Sequence, residues 1–149
     1  GPYEEANTQI TSTVIPLLEK AGFRVTLYQP EDFTTGFESV SQFRSKYDAV
    51  LYLANVENRS NATTTRINWY TFFGLGNNIP WFVDEVPTVF ASLGNPYHLM
   101  DVPMVKTYIN TYDNHQAVIE ALVAKILGKS DFKGVSPIDP YCGLMDARR

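Results

Sequence analysis

The sequence has a single cysteine and no long hydrophobic run. Cys142 has no second cysteine with which to form an internal disulfide, and a CxxC-type metal site is equally excluded. No apolar stretch approaches the roughly 20 residues that a membrane-spanning helix needs. The net charge is −4, the pI is about 5.1, and no stretch is rich in lysine and arginine. These features argue against nucleic acid and membrane as partners and leave the cellular location open.

The common catalytic and cofactor motifs are also absent. The chain has no G-x-G-x-x-G, no P-loop and no G-x-S-x-G; the segment "GLGNN" lacks both the phosphate-binding spacing and the lysine. Its two histidines, His98 and His115, do not stand in a metal-ligand spacing. We therefore expect no nucleotide, metal or other cofactor.

The chain does contain enough apolar material for one globular domain. Hydrophobic residues make up 44% of its 149 positions and charged residues 19%, which is an ordinary balance for a folded protein. A chain of this length can bury a core of its own. We therefore expect residues 1–149 to form a single domain.

Helical and strand patterns alternate along the chain. They predict helices over residues 5–21, 37–47, 65–74 and 114–127, a helical turn over 79–85, and strands over 23–28, 48–56, 88–93 and 102–112. Asp113 and Gln116 resemble a capping box for the last helix, which Gly128 ends. The alternation predicts a three-layer α/β/α sandwich with a mostly parallel sheet. Because such domains usually open on a strand, we expect a first strand upstream of residue 1.

Ligands of parallel sheets bind beyond the carboxyl ends of the strands, and this rule selects three loops. They are "YQPEDF", "NVENRSN" and "GNPYHL". In the last loop, Gly94 lets the backbone leave the sheet, while asparagine and proline favour a turn. The conformational preferences of these residues are compatible with a purely structural turn and also with the rim of a ligand-binding site. The candidate site residues are Glu31, Asp32, Asn55, Glu57, Asn58, Asn95, Tyr97 and His98.

Several blocks, in order, resemble the C-terminal domain of glycoside hydrolase family 3. They are "AGFRV", "KYDAVLYLANVE", "SLGNPYHL", "TYDNHQAVIEAL", "LGKSDFKG" and "SPIDP". The branch they are most similar to is that of the β-N-acetylglucosaminidases. The resemblance implies a parent enzyme in which a catalytic barrel precedes this domain and carries the aspartate nucleophile. It also implies that the isolated chain is inactive, with the barrel and a carbohydrate substrate as partners.

The resemblance implies different roles for the strand-end residues in different branches. In the N-acetylglucosaminidase branch the acid/base is a His-Asp pair on the barrel, so this chain supplies no catalytic residue. Asn55, Asn95, Tyr97 and His98 would then line the substrate cleft. In the β-glucosidase branch the sandwich domain supplies a glutamate, and Glu57 is the candidate. A third reading is a stand-alone carbohydrate-binding module.

A missing barrel would leave one surface of the domain partly apolar. The candidates for that surface are Trp69, Tyr70, Trp81 and Tyr97. Such a surface predicts dimerisation at high concentration.

Overall fold

The computed structural model describes residues 2–28, 39–56, 66–67, 71–72, 75–76 and 80–139. These residues contain three α-helices, a short 3₁₀ helix and five strands. The helices are α1 (Pro2–Lys20), α2 (Val40–Lys46) and α3 (Gln116–Ile126), and the 3₁₀ helix is Pro96–Met100. The strands are β1 (Val50–Ala54), β2 (Thr71–Phe72), β3 (Leu75–Gly76), β4 (Thr88–Ser92) and β5 (Thr107–Asn110).

The main sheet has three parallel strands in the order β1-β4-β5. Val50 pairs with Thr88 at one end of the β1–β4 ladder, and Ser92 pairs with Asn110 at the end of the β4–β5 ladder. Parallel neighbours need long connections, and those between these strands are 33 and 14 residues long, counted as 55–87 and 93–106. The predicted parallel sheet is confirmed.

Alternate residues of the strands bury against two different layers. Leu51, Leu53 and Ala91 pack with Ile10 and Val14 of α1 and with α3; we call this side the α1/α3 face. The opposite side is the α2 face. It is covered by residues of α2, of the turn at 81–86 and of the connection between β4 and β5, namely Phe43, Phe82, Val86, Val102 and Val105. Helices and loops thus cover both sides of the sheet, as the three-layer prediction requires.

Two helices end in the same glycine-based motif. Gly22 and Gly128 have φ angles of 98° and 71°, a left-handed conformation that glycine adopts at little cost. After α3, Gly128 N–H donates to the Lys125 carbonyl at 3.0 Å and Lys129 N–H to that of Ala124 at 2.8 Å. This pair of bonds is the Schellman arrangement, which satisfies carbonyls at the helix end. The predicted end of the last helix at Gly128 is confirmed.

The capping box lies at a different helix from the one predicted. α3 begins at Gln116, its N-cap His115 makes no side-chain cap bond, and Gln116 donates to Glu120 instead. The predicted box of Asp113 and Gln116 is therefore wrong: the N-cap is His115, two residues after Asp113, so Gln116 is the first residue of the helix and not the third. The box is found at α2, where Ser39 accepts from the Gln42 N–H and the Gln42 side chain accepts from the Ser39 N–H.

Two further secondary-structure predictions are wrong. Residues 23–28 have strand composition but no regular secondary structure, because no strand among the described residues pairs with them. The helix predicted over residues 65–74 is contradicted at β2, which pairs with β3 in an antiparallel ladder. Cross-strand pairing there overrides a helical pattern of moderate strength. The predicted turn before Pro87 is confirmed, since Val86 N–H donates to the Phe82 carbonyl at 2.9 Å.

The longest described helix, α1, carries many polar residues. Across the ranges that the structure describes, no helix is both long and apolar enough to cross a membrane.

Candidate functional site at the carboxyl end of the sheet

The loop after β4 is a turn held by an asparagine side chain. Gly94 has a φ of 90°, which lets the chain leave the sheet directly after Leu93. Asn95 then caps the 3₁₀ helix: its Oδ1 accepts from the Tyr97 N–H at 3.0 Å. The Asn95 side chain is buried, so it serves the turn from inside, while Tyr97 projects to the surface and is 41% exposed.

His98 is fully buried beneath this turn and pairs with the last residue of β4. Its Nδ1 lies 2.7 Å from the Ser92 Oγ, and the Ser92 hydroxyl also bonds to the Asn95 carbonyl. Because the hydroxyl proton goes to that carbonyl, the serine oxygen accepts from His98 Nδ1–H. The other nitrogen, Nε2, then carries a lone pair, and it is buried without a hydrogen-bond partner among the described atoms.

Burial lowers the pKa of His98, because the charged imidazolium would lose its hydration. The nearby Asp101 opposes this effect and Arg66 adds to it, both more weakly than burial. His98 is therefore neutral at physiological pH, a state suited to accepting or relaying a hydrogen bond.

Two residues of β5 add polar groups on the same face of the sheet. Tyr108 donates to the Pro96 carbonyl at 3.4 Å, and burial raises the pKa of its hydroxyl to about 12. Asn110 is the ladder partner of Ser92, and its Oδ1 is a second buried acceptor without a partner among the described atoms. The ends of β4 and β5 thus hold an uncharged polar cluster, in which Ser92 and His98 are buried and Tyr108 and Asn110 are partly buried.

Three asparagine side chains link the strand ends to the helices. Asn114 Nδ2 donates to Asn55 Oδ1 at 3.0 Å, and Asn55 Nδ2 donates to Asn7 Oδ1 at 3.1 Å. Asn55 directly follows β1, Asn7 lies in α1, and Asn114 precedes α3. We call this set the asparagine chain. Asn55 remains half-buried and Asn7 exposed, so the chain reaches the surface at the carboxyl edge of the sheet.

The carboxylates described near this edge are occupied by local partners. Asp101 pairs with Arg66, and its second oxygen accepts from the Ile67 N–H at 3.2 Å. Asp113 accepts from the N–H groups of Asn114 and His115 and contacts the His115 ring, and these bonds lower its pKa. These contacts fix the conformation of the loops. Both carboxylates are engaged in them, so neither is available as a free general base.

The structure brings only some of the predicted site residues to an accessible position. Asn55 and Tyr97 are accessible, whereas Asn95 and His98 are buried under the turn. The other candidates, Glu31, Asp32, Glu57 and Asn58, lie outside the described residues, as do Cys142, Trp69 and Tyr70. Within the described ranges, no three His, Cys, Asp or Glu side chains form a group that could hold a metal ion.

Sequence reasoning missed five polar residues here: Asn7, Ser92, Tyr108, Asn110 and Asn114. Asn7 sits in a helix and Asn114 precedes one, so neither follows a strand directly. Ser92 lies inside an apolar strand, as its last residue. A rule that includes helix starts beside strand ends would have selected Asn7 and Asn114.

Two of the four aromatic residues predicted to be exposed lie within the described residues. Trp81 is 40% exposed and Tyr97 is 41% exposed. They stand at opposite ends of the sheet: Trp81 contacts Phe43 and Phe82 near the start of β1, whereas Tyr97 follows the end of β4.

These features define a parallel α/β domain with a polar edge at the carboxyl ends of its strands. Comparison with models of known protein families gives no match. The chain is 44% identical over 133 residues to a "Beta-N-acetylglucosaminidase/beta-glucosidase" of Cellulomonas fimi, across 89% of this chain and 23% of that protein.

Two solved structures share both its sequence and its fold. One is named "Beta-glucoside phosphorylase BglX", with 41% identity and a TM-score of 0.73 over 96% of this chain and 24% of that one. The other, the same protein bound to 2FGlc, has the same identity and TM-score over 91% and 23%. The resemblance to the C-terminal α/β domain of glycoside hydrolase family 3 is thereby confirmed. The chain spans about a quarter of the length of these relatives.

Proposed function

We propose that this chain is the non-catalytic sandwich domain of a retaining family 3 enzyme that releases β-linked N-acetylglucosamine. In this proposal the domain braces an N-terminal catalytic barrel, and its strand-end loops line part of the substrate cleft. The observation that supports the proposal is the 44% identity, over 89% of this chain but only 23% of the relative, to a "Beta-N-acetylglucosaminidase/beta-glucosidase".

The state of the ionisable groups supports a non-catalytic role. Retaining hydrolysis usually places two carboxyl groups about 5–5.5 Å apart, one as nucleophile and one as acid/base. The resemblance implies a His-Asp pair in place of the second carboxyl group in the N-acetylglucosaminidase branch. Asp101 and Asp113 are each held by local hydrogen bonds, and His98 is sealed under the turn. The described strand ends therefore supply hydrogen-bonding groups rather than a catalytic pair.

The first experiment tests the chain alone. We expect no turnover of an aryl N-acetyl-β-glucosaminide or an aryl β-glucoside, and weak or no binding of N-acetylglucosamine in titration calorimetry. Turnover that Glu57→Gln abolishes would overturn the proposal in favour of a catalytic glutamate. Tight sugar binding by the chain alone would favour a stand-alone binding module instead.

The second experiment tests the cleft in the full-length enzyme. Asn55 and Tyr97 are the accessible members of the predicted set, and we propose that they contact the sugar or the barrel loops around it. Asn95 and His98 would act by holding the turn that presents Tyr97. We expect Asn55→Ala and Tyr97→Ala to raise KM several-fold while kcat changes less, because they remove binding contacts rather than chemistry.

Phe132→Ala is a matched control for those variants, since Phe132 is an exposed aromatic residue beyond the end of α3. It should leave both KM and kcat unchanged. If Tyr97→Ala and Asn55→Ala behave like this control, the strand ends do not line the cleft and the domain only braces the barrel.

A second candidate function differs in the acceptor of the glycosyl group. The two structural neighbours carry the name of a β-glucoside phosphorylase, which uses phosphate where a hydrolase uses water. In that case a phosphate oxygen would attack the anomeric carbon of the glycosyl-enzyme and the enzyme carboxylate would leave. The full-length enzyme incubated with and without inorganic phosphate distinguishes the two, because a phosphorylase yields sugar 1-phosphate and a hydrolase yields free sugar.

A further inference from the structure

Two buried acceptor atoms in the polar cluster at the ends of β4 and β5 lack a donor. They are Nε2 of His98 and Oδ1 of Asn110, and neither has a hydrogen-bond partner among the described atoms. Buried polar atoms in folded proteins are nearly always paired, because a buried acceptor has given up its bonds to solvent. Two unpaired acceptors in one cluster therefore indicate a donor other than the groups that the structure describes.

The neighbouring hydrogen bonds show that His98 Nε2 is an acceptor. The Ser92 hydroxyl donates to the Asn95 carbonyl at 2.5 Å, so the serine oxygen accepts from His98 Nδ1–H, 2.7 Å away. Burial lowers the pKa of His98, which keeps the ring neutral and leaves a lone pair on Nε2.

The orientation of the Asn110 amide does not remove the need for a donor. Neither atom of this amide is hydrogen-bonded to His98 Nε2. Exchanging its oxygen and nitrogen leaves both positions unchanged, so a reversed amide would not reach Nε2 either. The two side chains therefore cannot satisfy each other directly.

The contacts of Ser92 bring the two acceptors to neighbouring positions. Asn110 is the ladder partner of Ser92, and adjacent strands lie about 4.8 Å apart. Side chains alternate along a strand, so Ser92 and Asn110 lie on the α2 face, as Phe90 and Tyr108 do. His98 contacts Ser92 on that face through Nδ1, and Nε2 belongs to the same ring. One water molecule can join two acceptors up to about 5.6 Å apart, which is twice the usual O–H···O length and exceeds one strand spacing.

The surroundings limit the size of the donor. Ser92 and His98 have no exposed surface, and the apolar side chains of Phe90, Val102 and Val105 are buried on the same face. Valine and phenylalanine side chains offer no donor of their own. The molecule that pairs with the two acceptors must therefore be small enough to be enclosed and must carry two donor hydrogens.

The charges around the cluster favour an uncharged molecule. A cation buried here would need a negatively charged ligand. Asp101, the carboxylate that acts on His98, is already paired with Arg66 and accepts from Ile67 N–H. Water is uncharged, is small enough to be enclosed and has two O–H donors.

We propose that one buried water molecule is bound between His98 and Asn110, donating one O–H to Nε2 and the other to Oδ1. It completes the hydrogen bonds of the cluster. It also joins the 3₁₀ helix that contains His98 to β5, and so holds the turn that presents Tyr97 against the sheet. The proposal does not depend on the enzymatic function.

NMR of the chain measures the contact between this water and the His98 ring. The carbon-bound proton Hδ2 is adjacent to Nε2 and does not exchange with solvent. A nuclear Overhauser effect from the water resonance to Hδ2 therefore reports a water held beside Nε2. We expect a cross-peak with the sign of a water that stays bound for longer than the protein takes to tumble. It should persist in Tyr108→Phe, which removes the hydroxyl proton of the cluster that could relay the effect.

A pair of variants on β5 tests the role of Asn110. Asn110→Leu removes the acceptor and keeps a side chain of similar size, so the cross-peak to Hδ2 should disappear, because an apolar site with one acceptor does not hold water. The imidazole nitrogen shifts should still show His98 protonated at Nδ1, since Ser92 still accepts there. Thr107→Val is the matched control: it removes a polar group at an exposed position of the same strand and should leave the cross-peak at full intensity.

A crystal structure of the chain provides a second measurement that needs no variant. We expect density for one water oxygen within about 2.7–3.2 Å of both Nε2 and Oδ1. A missing cross-peak to Hδ2 in the unmodified chain would overturn the proposal, because it would show a dry site. A water that contacts only one of the two atoms would also overturn it, as would a protein group that donates to either of them.

Discussion

The buried imidazole of His98 predicts a loss of stability in mild acid. The unfolded chain binds a proton at His98 with a pKa near 6.5, whereas burial lowers this pKa in the folded protein. As the pH falls below about 6.5, the unfolded state therefore takes up a proton that the folded state rejects. The free energy of unfolding falls with pH until the folded-state pKa is reached.

The size of this loss of stability follows from the binding of one proton to His98 in the unfolded chain. If His98 stays neutral in the folded protein at pH 5.5, the linkage relation gives a loss of about 1.4 kcal/mol between pH 7.5 and pH 5.5. Attraction from Asp101 reduces this loss and repulsion from Arg66 adds to it. Nε2 has no hydrogen-bond acceptor among the described atoms, so the proton gains no compensating bond there. We therefore expect a loss of stability in this interval that is no larger than about 1.4 kcal/mol.

Urea denaturation at pH 7.5, 6.5 and 5.5 measures this loss. His98→Gln should lose less stability than the unmodified chain over that range, by at most about 1.4 kcal/mol. His115→Gln is the comparison variant, because the side chain of His115 is 81% exposed and its contact with Asp113 lies at the surface; its pH dependence should differ from that of the unmodified chain less than that of His98→Gln does. An NMR titration of the ring protons provides a readout that needs no variant. Equal pH dependence of all three proteins, or a ring signal of His98 that titrates near pH 6.5, would refute the reasoning.

Three further predictions concern the core and the turns. Phe90→Ala should lower the free energy of unfolding by about 3–5 kcal/mol in urea denaturation, because its buried ring stacks between those of Tyr52 and Tyr108; a loss below 1 kcal/mol would contradict this packing. Gly128→Ala should cost about 1 kcal/mol through its left-handed φ alone, since a Cβ there meets no atom within 4 Å, whereas Gly134→Ala, equally open and without that φ, should cost almost nothing. Asn95→Ala should cost about 1 kcal/mol by leaving a helix-start N–H uncapped, and an unchanged thermal midpoint would show that the cap contributes nothing.

The sequence predicted the sheet well where hydrophobic runs were strong. Residues 48–56 and 88–93 contain β1 and β4, and the stripe of Ile119, Leu122 and Val123 is the buried side of α3. Burial of hydrophobic residues determines such helices and strands, and the spacing of hydrophobic residues in the sequence indicates which side is buried. Residues 23–28 have an equally suitable composition but form no strand, because pairing depends on a partner that the local pattern does not encode.

The candidate site was predicted less completely for a similar reason. The strand-end rule selected Asn55, Asn95, Tyr97 and His98 as candidates, since each follows a strand within a few residues. It could not show that Asn95 and His98 turn inward, because the direction of a side chain in a turn depends on the packing above it. It also missed Asn7, whose proximity to Asn55 arises only when α1 packs on the sheet.

The asparagine chain has one consequence for how the domain behaves in solution. Its three members are amides, which neither gain nor lose protons across the biological pH range and carry no charge for salt to screen. A carboxylate–lysine link at the same place would weaken in high salt or in acid. The junction between α1, β1 and the start of α3 should therefore keep its geometry under conditions that change the charge of His98. The two polar groups at the strand ends would then respond differently to the solvent. The cluster that contains His98 changes its charge with pH, whereas the asparagine chain responds to neither pH nor ionic strength.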